Sequence, residues 1–195
     1  MYKAQIKFQK IICFVTLAAS FLVFLYSLGI MTDIFDSLYP TMIDPEDYTQ
    51  TWVTGSVLYY DMQPFNYALT RIGIGLILIS LVLFVTSTHK RRRYYFANVF
   101  ATILNTIAGI AAAVYCLPKI KAFKIQFLTT VNFEELKFFA DIFNSTYTES
   151  TFWLDISVYV FAILLVADAL LVCNLIWKFV MMHMEKALIK QGKEN

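Results

Sequence analysis

Four long apolar runs constrain this chain more than any other feature. Residues 11–30 give 20 positions without a charge, 72–88 give 17, 94–118 give 25, and 156–177 give 22, interrupted by the single carboxylate of Asp168. A hydrocarbon core of about 30 Å needs about 20 apolar residues in helix, because only a helix satisfies its own backbone groups away from water. The runs therefore predict an all-α membrane protein with four transmembrane helices, at about 11–30, 70–88, 94–118 and 154–180. Composition agrees. Charged residues are 15% of the chain and mean hydropathy is +0.62, whereas an ordinary soluble domain carries roughly 25% charge. A soluble enzyme, a disordered chain and, with a net charge of +2, a nucleic-acid binder are all poor fits.

Lys3, Lys7 and Lys10 before the first run give it the look of a signal peptide, but the run is too long and no small-residue cleavage site follows. It reads as an uncleaved anchor. Lys and Arg mark the cytoplasmic side of short loops. They gather in the N-terminal segment, in Lys90–Arg91–Arg92–Arg93, and at the C-terminal end with Lys178, Lys186, Lys190 and Lys193, where a tail over 181–195 closes the chain. The loop over 31–69 carries six acids and no base, and the loop over 119–153 is mixed. The expected layout is one domain of two helical hairpins in the plasma membrane, with both termini cytoplasmic and both long loops outside.

Helix three carries a small and polar stripe, Asn98, Ala101, Thr102, Asn105, Ala108, Gly109, Ala112 and Cys116, opposite Val99, Ile103, Ile107, Ile110 and Val114. Such a stripe lets another helix approach closely. Helix one has Cys13, Thr16, Ser20 and Ser27, and helix two has Gly73, Ser80 and Ser87. These stripes are expected to meet in a four-helix bundle; the other possibility is that helix three packs on another protein. Asp168 lies ten residues before Lys178, about 15 Å along a helix. An aspartate at mid-membrane costs about 2.5–3.5 kcal/mol on insertion scales and needs a partner or a proton. Asn105, at similar depth, is the expected partner. Two roles stay open for Asp168, a packing hydrogen bond or a proton or ion relay.

The first outer loop offers a helix start at Asp44–Pro45–Glu46–Asp47. After it, Thr51–Tyr60 either continues the helix or folds as a hairpin around Thr54, Gly55 and Ser56. Trp52, Tyr59, Tyr60, Phe65 and Tyr67 form a candidate aromatic surface. The second outer loop has a clearer helix. Asn132 and Glu135 make a capping-box-like pair. Phe133, Leu136, Phe139 and Phe143 share the face that, with Trp52, is expected to meet a partner or the bilayer surface. Asn144-Ser145-Thr146 matches a glycosylation sequon. Met181-Met182-His183-Met184 superficially suits soft metals, although an amphipathic extension explains it equally.

No catalytic, phosphate-binding or metal-protease motif is present, and the three cysteines lie in apolar runs without a C-x-x-C pair. A non-enzyme without a cofactor is the expectation. The run from Phe24 through Asp33 (FLYSLGIMTD), followed by Phe35-Asp36-Ser37-Leu38-Tyr39, resembles uncharacterised four-span proteins of Gram-positive bacteria encoded beside carbohydrate ABC importers. That resemblance implies an accessory membrane subunit of such an importer, with its permease as the expected partner. Otherwise the partners expected are the lipid bilayer and another membrane protein or further copies of the chain. The alternative is a small oligomeric ion- or proton-coupled channel or transporter using Asp168.

Overall fold

The computed structural model describes the backbone of residues 2–44, 47, 49–88 and 92–194, with side chains over 4–44, 47, 49–87 and 96–184. The expected helix start at Pro45 and Glu46, and most of the basic connector and tail, lie outside the described side chains. All regular elements among the described residues are helices: α1 (Tyr2–Gly29), α2 (Thr32–Leu38), a 3-10 turn (Tyr39–Thr41), α3 (Leu58–Thr88), α4 (Arg92–Thr130), α5 (Phe133–Phe143), α6 (Phe152–Asp155) and α7 (Ser157–Glu194). Among the described residues, four stretches are long and apolar enough to cross a membrane, over Ala4–Thr41, Leu58–Ser87, Phe96–Thr130 and Phe152–Met184. The chain is an integral membrane protein of the all-α class.

All four long helices outrun the expected boundaries, α1 starting at Tyr2 and α7 running to Glu194. α3 begins at Leu58 and contains Pro64; α4 passes through Pro118 to Thr130. A proline deletes one backbone hydrogen bond, which tertiary packing can offset. Beyond Pro118, Ile120 and Phe127 are buried and Phe123 packs on Phe65 at 5.5 Å between ring centroids. That face holds the helix together past the point where the proline argues for a stop.

The helices build two compact units. One comprises Met1–Phe21, Gly75–Ala111 and Ala162–Asn195; the other comprises Leu22–Ile74 and Ala112–Phe161. The first unit has an apolar core of Ile12, Cys13, Leu83, Ala101 and Leu171, flanked by Phe8, Phe84 and Leu170. Its aliphatic faces point outward, with Ile103, Ile107 and Ile110 exposed, as a lipid-facing surface requires.

The second unit holds the two long connections. Met42 and Thr51 form an antiparallel bridge, with Trp52 N–H donating to Thr41 O at 2.8 Å. The segment after Thr51 therefore neither continues a helix nor forms a hairpin about Thr54–Ser56. It turns through Gly55 and enters α3. Gly55 has φ +87°, and a Cβ there would meet Thr130 O at 2.1 Å, so only glycine fits the turn. Asn132 N–H donates to Thr54 O at 3.0 Å, and the Glu135 carboxylate accepts from Thr54 N–H at 2.8 Å. These bonds clasp the two connections together. Asn132 caps α5 by accepting from Glu134 and Glu135 N–H, while Asn144 ends it in the left-handed conformation at φ 50°, a role asparagine tolerates well.

Candidate functional site

The small and polar stripe of α4 faces inward. Asn98, Ala101, Thr102, Asn105, Gly109, Ala112 and Cys116 are buried and Ala108 is half-buried. The polar positions of α1 and α3 are buried too, including Cys13, Thr16, Ser20, Ser80 and Ser87. The stripes are thus used within the chain, which removes the alternative that helix three reserves this face for another protein.

Inside the first unit the polar groups fall into layers. In one, Gln5 donates to Asn174 Oδ1 at 3.1 Å and to Gln9 Oε1 at 3.3 Å. In the next, the buried Lys178 ammonium donates to Asn98 Oδ1. The Asn98 amide donates in turn to Leu83 O at 3.3 Å and to Thr86 Oγ1 at 3.2 Å, and Thr102 Oγ1 donates to Asn98 O at 2.8 Å. Asn98 is thereby a hub linking α3, α4 and α7. Sequence reasoning placed Lys178 with the cytoplasmic tail cations and missed its burial. The signal available was its position only four residues after Asn174, on the same helix face.

The deepest layer centres on Asn105. Its Nδ2 donates to Ser80 Oγ at 2.9 Å; Ser80 and Ser20 hydroxyls are 2.8 Å apart; Ser20 Oγ donates to Thr16 O at 2.9 Å. Each hydroxyl has one proton. Ser20 spends its proton on Thr16, so Ser80 donates to Ser20 and can only accept from Asn105. The relay fixes the amide with its N–H toward Ser80 and leaves Asn105 Oδ1 without a partner, as observed.

Asp168 corrects the expected pairing. It is 2% exposed, yet neither carboxylate oxygen has a hydrogen-bond partner, and Asn105 bonds Ser80 instead. The carboxylate is seated on Gly109: a Cβ at that position would lie 2.0 Å from Oδ2 and 2.9 Å from Cγ. Gly109 is one helical turn past Asn105 and three residues past Thr106, whose buried Oγ1 is likewise unpartnered. Equal depth predicted the neighbourhood of Asp168. It could not predict that the amide bonds Ser80 rather than the carboxylate.

The outer-loop residues divide differently from the expected face. Leu136 and Phe139 are buried in the second unit, with Ala140. Phe133 packs edge-on against Phe127 at 5.3 Å. The outward ridge of α5 is Phe138, Ile142 and Phe143, all more than half exposed, and Trp52 is exposed as expected. The face was misassigned because α5 docks on its own chain and buries the stripe that would otherwise meet a partner. Of the aromatic surface, Phe65 is buried, while Tyr59 clusters with Phe35 at 5.7 Å and Tyr39 at 5.8 Å. The Asn132 backbone N–H, which a capping box would direct to Glu135, donates to Thr54 O instead; Glu135 reaches Thr54 N–H, and that bond holds its carboxyl below the usual range. Among the described residues no three His, Cys, Asp or Glu side chains converge as a metal site. No family model, no curated protein and no solved structure matches the chain.

Proposed function

We propose that this membrane protein works as an accessory or scaffold subunit, packing against another integral membrane protein without catalysing a reaction. The observation that carries this reading is the ridge of Phe138, Ile142 and Phe143, held out on a helix whose other face is fixed by the clasp to Thr54 and by buried Leu136 and Phe139. A rigid aromatic ridge loses little conformational freedom on binding, and aromatic residues are enriched where interfaces carry their energy. Because α5 joins two membrane-spanning stretches, its partner surface lies beside the bilayer. A carbohydrate ABC-importer permease is the partner that the sequence resemblance suggests, with the ridge outside the cell and both termini inside.

A photoreactive side chain at Phe138, in the native membrane, tests this. Crosslinking to one membrane protein, lost in an Ile142→Ser variant, is the expected result. Crosslinks to lipid alone overturn the reading, because the ridge then serves as an interfacial anchor. The second reading, a proton- or ion-coupled channel or transporter, rests on the unpartnered Asp168; proteoliposome flux abolished by Asp168→Asn would favour it.

A further inference from the structure

We propose that Asp168 is a buried proton-binding site, its carboxyl group holding a proton at neutral pH in the folded protein. Three observations carry this independently of any partner. Both carboxylate oxygens are buried without a donor, although the residue is 2% exposed. An ionised carboxylate in that position keeps its full desolvation cost, whereas a neutral acid does not.

No neighbouring donor is directed at the carboxylate. The relay from Asn105 through Ser80 and Ser20 to Thr16 turns the serine hydroxyl protons in one direction and leaves Asn105 Oδ1 as a surplus acceptor. The unpartnered Thr106 Oγ1 lies on the same helix face as Asn105 and Gly109. A protonated carboxyl is a donor as well as an acceptor, so it adds a proton where Asn105 Oδ1 is left as an unmatched acceptor. A fixed cation is the other way to neutralise the site, and the described apolar stretches of the first unit supply none. In the first unit, residues 11–21, 75–87, 96–111 and 162–177 contain no Asp, Glu, Lys, Arg or His except Asp168 itself. Lys178 is ten residues away on the same helix, about 15 Å, and is engaged by Asn98.

The seat also favours the smallest occupant. Oδ2 lies so close to Gly109 that a single methyl group would overlap it, so the carboxyl is packed directly on the backbone of α4. A proton needs no coordination shell, whereas a metal cation needs about six oxygens around it.

Infrared spectroscopy of the purified protein in lipid tests the proposal, since a protonated carboxyl has a carbonyl band separate from that of carboxylates. At neutral pH the wild-type protein is expected to show this band, shifted when the protein is made with carbon-13-labelled aspartate. The band is expected to vanish in Asp168→Asn. The labelled wild-type measurement decides the matter if that variant does not fold. No such band at neutral pH, or a label-insensitive band, or one that survives in Asp168→Asn, overturns the proposal. So does a band present in choline chloride but lost in sodium chloride at the same pH, because the occupant is then a metal cation.

Discussion

Replacing Gly109 by alanine tests the seat of Asp168 directly. The new Cβ would lie 2.0 Å from Oδ2, 2.9 Å from Cγ and 3.1 Å from Oδ1, so the carboxyl group must move. Overpacking of a tight interior typically costs about 1–3 kcal/mol. Working against it, alanine is a better helix former than glycine by up to about 1 kcal/mol. The single variant is therefore expected to lose between about 0 and 3 kcal/mol, too broad a range to be decisive alone. A double-mutant cycle with Asp168→Ala removes the ambiguity, because the propensity gain is common to both backgrounds and cancels. Without the carboxyl the methyl group meets no clash, so the coupling energy equals the overpacking cost, about 1–3 kcal/mol. Gly75→Ala serves as the reference for propensity, since nothing lies within 4 Å of its added Cβ. Reversible unfolding in mixed micelles measures all four corners. A coupling below about 0.5 kcal/mol, within ordinary additivity, would refute the packing of Asp168 on Gly109.

Gly55→Ala is expected to be the most damaging glycine substitution, since it adds about 1–2 kcal/mol of left-handed strain to a clash with Thr130 O; faster protease nicking near residue 50 would report it. Glu135 has its carboxyl depressed by the Thr54 N–H bond, so its contribution is present above its ordinary range near 4.5 and is lost as pH falls through the lower folded value. Acid should loosen the clasp in the wild type, by hydrogen exchange at Thr54, and change nothing in Glu135→Gln. For orientation, cysteines replacing Gln50 and Thr146, both exposed, are expected to react with an impermeant thiol reagent in intact cells after the native cysteines are removed. A cysteine at Gln191 should not react, and the opposite pattern would invert the proposed topology.

The membrane class and the interior face of α4 were legible because both follow from local periodicity. Asn98, Thr102, Asn105 and Gly109 recur at helical spacing, and no arrangement of the other helices could bury Ile103, Ile107 and Val114 in their place without exposing the amides to lipid. The extension of α4 was legible in principle, since Ile120, Phe123 and Phe127 keep helical spacing past Pro118, but a proline is a strong local stop signal. What the sequence could not reveal were the long-range pairings. Asn105 could reach either Asp168 or Ser80 on depth alone, and the choice depends on rotation of α3 and α7 about their axes. The same limit applies to Glu135. A local capping partner and a distant backbone N–H compete for one carboxylate, and only the folded second unit brings Thr54 to it.

The clasp between Thr54 and Asn132 with Glu135 has a consequence for the order of assembly during synthesis. Residues 54 and 135 are 81 positions apart, so the first two spans must emerge and insert before the segment that completes their loop exists. Until then the turn at Gly55 has neither the Asn132 donor nor the Glu135 acceptor, and the Thr54 backbone groups remain open to water or to a chaperone. The first hairpin is thus built to wait, and closure of the clasp is a late event that registers arrival of the second. A chain truncated before residue 132 should insert its early helices and still be recognised as unfinished by cellular quality control.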